Sequence, residues 1–195
     1  MQLFLPLVIG FVFGMIPFSY LLGLLRGVDL TKTGSGNIGA TNLGRTLGFA
    51  FFIIGFMLDA LKGAVPVILC KSFFGAGTMA GAGAILGHIF NPLFGFQGGK
   101  GVATTIGVAL TLMIRSFALA LGTWLIVYLA TFLVSLASII FAISLPVFSI
   151  ILKEGMIGDR ILFIMIGIII IYAHRANIKR LITGKEPKTI LWRRG

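Results

Sequence analysis

VATTIGVALTLMIRSFALALGTWLIVYLATFLVSLASIIFAISLPVFSIIL, residues 102–152, runs for 51 residues with Arg115 as its only charge. As one helix this stretch would reach about 76 Å at about 1.5 Å per residue, against a bilayer hydrocarbon core of about 30 Å. It must fold back on itself. Arg115 marks a membrane face, which divides the run into a short span, Val102–Ile114, and a remainder, Phe117–Leu152, that makes two further spans turning near Val134–Ser138. The rest of the chain has the same character: 58% of its 195 residues are hydrophobic, 11% are charged and the mean hydropathy is +1.10. The sequence therefore predicts an all-α integral membrane protein rather than a soluble core.

Working outward, apolar runs at Leu3–Leu25, Phe49–Leu69, Thr78–Phe94 and Ile161–Ala173 bring the expected number of transmembrane helices to seven, some of them short. The first run has no basic leader and is too long for a cleavable signal, so it counts as a span. Residues 1–195 read as a single polytopic membrane domain with polar loops at 26–48 and 95–105 and a basic tail at 174–195. Placing the N-terminus outside and the C-terminus in the cytoplasm puts Arg26, Lys32, Arg45, Lys100, Arg175, Lys179, Arg180, Lys185, Lys188, Arg193 and Arg194 inside. Only Lys71, Arg115, Lys153 and Arg160 then lie outside, in keeping with the positive-inside rule. The net charge of +11 sits mostly beside apolar runs, which points to membrane orientation and anionic ligands and away from nucleic acid. A single Cys70, with His88 and His174 far apart, offers no disulfide and no metal cluster, so neither metal nor cofactor is expected. Nothing indicates an obligatory protein partner.

Between two of the apolar runs lies Gly95-Phe96-Gln97-Gly98-Gly99-Lys100-Gly101-Val102-Ala103-Thr104-Thr105. Its glycines leave backbone N–H groups able to turn toward one point and Lys100 adds a charge, a common way to cradle a phosphate. It is not a Walker A loop, since Gly101 stands where Ser or Thr would hold magnesium. A plain hinge between helices is the competing reading. Two other polar stretches flank apolar runs. Ser35-Gly36-Asn37-Ile38-Gly39-Ala40-Thr41-Asn42, with Arg45, combines hydroxyl and amide donors with a guanidinium suited to an oxyanion, and it reads equally as a capped loop. His174-Arg175-Ala176-Asn177 continues the last span, with His174 and Asn177 on one helix face. His88, near the end of a span, can meet a phosphate or bond a backbone carbonyl. Asp59 and Lys62, three residues apart within a span, read as an ion pair, and Glu186 before Pro187 as an anchor for the tail. Lys179, Lys185, Lys188, Arg193 and Arg194 suit the anionic headgroup zone.

Taken together in this order, Ser35–Asn42 with Arg45, Gly87-His88 followed by Gly98–Thr104, and His174-Arg175 with Asn177, Ile178, Arg180 and Glu186 resemble the bacterial acyl-phosphate:glycerol-3-phosphate acyltransferases of the PlsY type. The Asp59-Ala60-Leu61-Lys62-Gly63 segment is also similar. The resemblance implies transfer of a fatty acyl group from acyl phosphate to the 1-hydroxyl of glycerol 3-phosphate, giving lysophosphatidic acid and inorganic phosphate for phospholipid biosynthesis. It also implies a multi-pass protein of the bacterial inner membrane whose site faces the cytoplasm, in contact with membrane lipids. Carried over by position, Ser35, Arg45, His174 and Asn177 are expected to be catalytic. Asn37, Thr41, Asn42, His88, Gly98, Gly99, Lys100, Gly101 and Thr104 are expected to bind substrate or phosphate, with Asp59, Lys62 and Glu186 in supporting roles.

The residue types suit this chemistry. Two phosphate-bearing substrates need cations to meet, and Arg45, Lys100 and either His174 or Arg175 are expected to supply them. The His-x4-Asp dyad of other glycerolipid acyltransferases is missing, because Leu93 and Lys179 stand five residues after His88 and His174. Acyl phosphate already carries a good leaving group, so the donor's own phosphate is expected to take the attacking proton in preference to His174. Ser35 is expected to position by hydrogen bonding rather than to form an acyl-enzyme. A transporter of a small anionic metabolite is the alternative from another class, disfavoured because no inverted second set of polar groups is present.

Overall fold

Proline and glycine decide where these apolar runs stop being helical. The computed structural model describes residues 3–190, so the expectations for Arg193 and Arg194 lie outside the described residues. Among the described residues the regular elements are helices: α1 Phe4–Met15, α2 Phe18–Leu24, α3 Ala40–Leu47, α4 Phe49–Phe74, α5 Gly77–Ile89, α6 Val102–Leu112, α7 Ile114–Thr131, α8 Val134–Ile151, α9 Ile157–Ala173 and α10 Arg175–Ile182.

Phe4–Leu24, Phe49–Phe74, Ile114–Thr131 and Val134–Ile151 are long and apolar enough to cross a membrane. The pair α9–α10, bent by 60°, adds a fifth if it is taken as one span. The 13-residue α5 and the 11-residue α6 fall short of the roughly 20 residues a crossing needs. Length and composition alone thus support four or five crossings, where seven were expected.

Several boundaries differ from those expected. The first run is not continuous: Ile16, preceding Pro17, is extended at ψ 114°, because the proline ring crowds the residue before it out of helical geometry. The third run stops at Ile89, before Pro92, and not at Phe94. Lys71 lies in the last turn of α4, which ends on Gly75 in a left-handed conformation. Arg115 is inside α7, and the turn expected at Val134–Ser138 falls earlier, at Phe132 (φ +58°) and Leu133. The last run starts at Ile157, where the Asp159 carboxylate accepts from the Met156 N–H at 2.9 Å and caps α9.

The chain packs into two compact units, one reaching to Val108 and one covering Ala109–Thr189. In the first, α1 and α5 meet backbone to backbone. A Cβ on Gly10 or Gly14 would fall on the Ala80 or Ala84 carbonyl, and one on Gly83 or Gly87 would fall on the Leu7 or Phe11 carbonyl. Small residues four apart on both helices make that approach possible, as in membrane helix pairs generally. The α4–α6 contact repeats the device, Gly63 meeting the Thr104 carbonyl and Gly107 the Ala60 carbonyl.

In the second unit α7 and α8 form a hairpin crossed by polar pairs, Thr123 with Ser144 at 2.9 Å and the Trp124 indole N–H with Ser138 at 3.4 Å. Helix α9 packs on α8 where Gly167 approaches the Ala142 carbonyl. That carbonyl lies four residues before Pro146, whose ring supplies no N–H to bond it. At the far end Glu154 caps α7, accepting from the Arg115 and Ser116 N–H groups and the Ser116 hydroxyl at 2.6–3.0 Å. Burial pushes its carboxyl pKa up, but the Ser116 and Arg115 hydrogen bonds outweigh that and hold it below the usual value.

Candidate active site

The loop from Asp29 to Gly39 is shaped by one side chain. Asn42, in the first turn of α3 and 2% exposed, directs its amide nitrogen at the Leu30, Thr33 and Asn37 carbonyls (2.9–3.1 Å), and its oxygen accepts from the Ser35 N–H at 2.9 Å. Gly34, at φ +60°, passes so close that a Cβ would strike that oxygen. Asn42 was expected among the phosphate donors, yet both of its polar atoms are committed to the loop. What the loop presents is Ser35, exposed, with Thr41 and Arg45 half-buried on α3. Asp29 closes the loop's start, its carboxyl held below the usual range by the Thr31 hydroxyl.

Asn37 reaches out of this loop, and its side-chain amide donates to the Gly98 carbonyl at 3.4 Å. The two polar stretches that were separate motifs in the sequence are thus joined within one unit. Gly98 and Gly99 do not offer free N–H groups as expected, for they donate to the Ile89 and His88 carbonyls at 2.9 and 3.1 Å. Their lack of a side chain has a packing cause: a Cβ on Gly98 would fall on the His88 carbonyl and one on Gly99 on the His88 ring. The anion-binding potential of the segment instead lies one residue on. Lys100 is half-buried, Gly101 turns the chain at φ +83°, and α6 begins at Val102, with first-turn N–H groups that have no partner inside the helix. The Thr104 and Thr105 hydroxyl oxygens, in that turn or just after it, are buried without a hydrogen-bond partner.

Behind the loop lies a buried polar cluster. Asp59 and Lys62, 2% and 3% exposed, pair at 3.0 Å, as their spacing predicted. Three contacts of this cluster escaped the sequence reading. Ser19 donates its hydroxyl to Asp59 at 2.7 Å, Lys62 donates to the Ile16 carbonyl at 2.6 Å, and Asn91 donates to the Met15 carbonyl at 2.7 Å. The last two contacts satisfy carbonyls released by the break before Pro17, which in an apolar surround would be costly to leave unmet. A signal was available in principle: a proline inside an apolar run frees carbonyls, and Lys62 and Asn91 are among the few donors in the neighbouring runs.

In the second unit His174 sits at the α9–α10 bend, 2% exposed, with Nδ1 2.8 Å from the Ile170 carbonyl. A carbonyl only accepts, so Nδ1 carries a proton and the basic lone pair of the neutral ring is on Nε2. Asn177 donates to Glu186 at 2.7 Å. Glu186 also accepts from the Ser135 hydroxyl and from Arg180 Nε, both at 2.7 Å. Burial raises the Glu186 pKa, but the hydrogen bonds from Asn177, Ser135 and Arg180 outweigh it and hold the carboxyl below its usual value. Three residues further on, Thr189 donates its N–H to the Phe132 carbonyl at 2.8 Å and accepts from the Tyr128 hydroxyl at 3.0 Å, which ties the tail to the α7–α8 hairpin.

Comparison with known proteins identifies the family. The family model described as glycerol-3-phosphate acyltransferase matches residues 4–184. A glycerol-3-phosphate acyltransferase of Aquifex aeolicus is 40% identical over 185 residues, 93% of this chain and 96% of the relative. One from Thermosipho melanesiensis is 39% identical over 191 residues, 97% of this chain and 94% of the relative. Two crystal structures of PlsY, an integral membrane glycerol 3-phosphate acyltransferase, superpose closely at 37% identity. The glycerol 3-phosphate form gives a TM-score of 0.91 over 97% of this chain and 96% of that one, and the lysophosphatidic acid form gives 0.89 over 96% and 95%. A match of this extent in both sequence and fold places the chain in the glycerol-3-phosphate acyltransferase family.

Proposed function

We propose that this chain transfers a fatty acyl group from acyl phosphate to the 1-hydroxyl of glycerol 3-phosphate, giving lysophosphatidic acid and inorganic phosphate. The observation that carries this reading is the Asn37–Gly98 bond, which brings the loop bearing Ser35, with Arg45 on the α3 helix that follows it, to the segment bearing Lys100. Two cations on joined segments suit a reaction in which two phosphate-bearing molecules must approach each other. The related PlsY structures, described as glycerol 3-phosphate and lysophosphatidic acid forms, support the choice of acceptor and product.

In the step itself the substrate hydroxyl oxygen attacks the acyl carbonyl carbon, and the bond from that carbon to the phosphate oxygen breaks. The hydroxyl proton passes to the departing phosphate, so no protein base is required. Arg45, Lys100 and the opening turn of α6 hold the phosphates and offset charge as it moves onto the leaving group. The buried, unpartnered Thr104 hydroxyl is a further donor for that region. Ser35 hydrogen-bonds substrate, Asn42 shapes the loop that presents it, and His174 and Asn177 contribute to activity from the α9–α10 bend.

The topology we propose has seven crossings, the N-terminus outside and the C-terminus in the cytoplasm of a bacterial inner membrane. The short α5 and α6 are accommodated because α1 and α4 pack against their backbones through the paired glycines. The exposed charges of the described tail, Arg175, Lys179, Lys185 and Lys188, are all positive, and its one acid, Glu186, is buried. That distribution suits anionic lipid headgroups.

The test is turnover by purified protein. Phosphate release that requires both acyl phosphate and glycerol 3-phosphate, with lysophosphatidic acid as co-product, is the expected result. Gradient-driven uptake of glycerol 3-phosphate into liposomes without product would replace the enzyme reading with a transporter.

A further inference from the structure

His88 is 6% exposed and lies between two features that the reaction does not explain. On one side its Nδ1 stands 4.0 Å from Asp59 Oδ1, the same oxygen that meets Lys62 at 3.0 Å, while Ser19 holds the other Asp59 oxygen at 2.7 Å. Lys62 in turn grips the Ile16 carbonyl at the break of the first run. A buried ion pair bonded on both members is costly to move, so the ring rests on a firm seat. On its other side the imidazole Nε2 occupies the space that a Cβ on Gly99 would need. The His88 carbonyl also accepts the Gly99 N–H, at 3.1 Å. Gly99 is therefore held by both the main chain and the ring of one residue, and Lys100 is the next residue along.

We propose that His88 is a positioning residue and not a substrate ligand: seated on the Asp59–Lys62 pair, its ring sets the path of Gly99 and thereby the placement of Lys100 and the first turn of α6. The inference rests on the reading of Lys100 as a phosphate-holding group. It accounts for why a buried ion pair, an imidazole and a glycine without positive φ occur together behind the loop. It also assigns this pair a role in substrate affinity, transmitted through packing.

Five proteins test it: the wild type, His88→Ala, His88→Gln, Gly99→Ala and the His88→Ala/Gly99→Ala double variant, each assayed for turnover and for thermal unfolding in detergent. His88→Ala is expected to raise KM for a phosphate-bearing substrate by about tenfold with kcat within about threefold, and His88→Gln is expected to recover part of that loss. Gly99→Ala, whose new methyl meets the ring, is expected to be impaired by a similar factor, about tenfold, in the presence of His88 and to add little in its absence. Additive losses would overturn the inference, because the ring would then not define the path of Gly99. A large fall in kcat at unchanged KM in His88→Ala would also overturn it, since the ring would then be acting on the reacting atoms. If the wild type shows no turnover, the functional reading fails and the thermal data still decide the packing: Gly99→Ala should lower Tm with His88 present and not with it removed. Should Gly99→Ala fail to accumulate, recovery of folded protein in the double variant reads the same coupling, and absence of recovery counts against it.

Discussion

The Asn37 side-chain amide donates to the Gly98 carbonyl, 61 residues away in sequence, at 3.4 Å, while its oxygen accepts from the Gly39 N–H at 3.1 Å. One side chain thus sets its own loop and ties it to the segment leading to Lys100. Asn37→Ala is expected to lower kcat/KM by about tenfold, the equivalent of one hydrogen bond of about 1.4 kcal/mol, with thermal unfolding little changed. Steady-state kinetics with each substrate varied in turn checks it, and unaltered kinetics would remove the joint from the site.

The charges on the two joined segments, Arg45 on α3 and Lys100 before α6, carry a larger effect. Arg45→Ala and Lys100→Ala are each expected to reduce turnover by at least about a hundredfold, about 2.7 kcal/mol, while the proteins elute and unfold like the wild type. Lys100→Arg should keep the charge and recover only part of the activity, because a planar fork replaces a point charge. Full activity in both alanine variants would sink this assignment.

The α1–α5 contact leaves no room for a side chain. Gly14→Ala or Gly87→Ala places a methyl on a carbonyl of the facing helix and is expected to cost about 3 kcal/mol, read as a lower Tm and a poorer yield of monodisperse protein in detergent. Gly122→Ala on α7, where a Cβ meets nothing within 4 Å, is the matched control and should be neutral or slightly stabilising.

Glu186 gives a pH-dependent stability term. Its folded pKa is lowered from 4.5, so its contribution is complete above that value and fades as pH falls through the folded value. Glu186→Gln is expected to destabilise by about 2 kcal/mol at neutral pH, the loss being moderated because Arg180 is partly exposed. The gap in unfolding temperature between the two proteins should narrow toward acid pH. A gap that stays constant down to pH about 3 would show that the carboxylate charge is not what holds the tail.

For His174 the expected outcome is a pH–rate profile that keeps its shape in His174→Ala and changes only in amplitude, since the leaving phosphate takes the proton. Loss of a limb of that profile would instead identify Nε2 as the base.

Much of the local structure was legible in the chain. Apolar runs with few charges require helices in lipid because no other local structure satisfies each backbone group within its own segment, so class and element type follow from composition alone. The Asp59–Lys62 pair was legible too, because a spacing of three on a helix makes neighbours whatever surrounds them. The break at Ile16-Pro17 was missed, since a single proline in a run of apolar residues only sometimes interrupts it, and here Lys62 and Asn91 stabilise the broken form.

The sequence by itself determined a helical membrane protein, the order of its polar stretches, and the presence of a glycine-rich segment with one lysine. Tertiary structure decided what those glycines do. Read along the chain, Gly98 and Gly99 looked like a cradle of free N–H groups; in the fold their N–H groups bond the end of α5, and their missing side chains make room for the carbonyl and ring of His88. Helical periodicity is a property of neighbours, whereas the need for a missing Cβ is set by whichever distant atom arrives there. For the same reason Ser19, 40 residues from Asp59, and Asn37, 61 residues from Gly98, acquired their partners only when the helices packed.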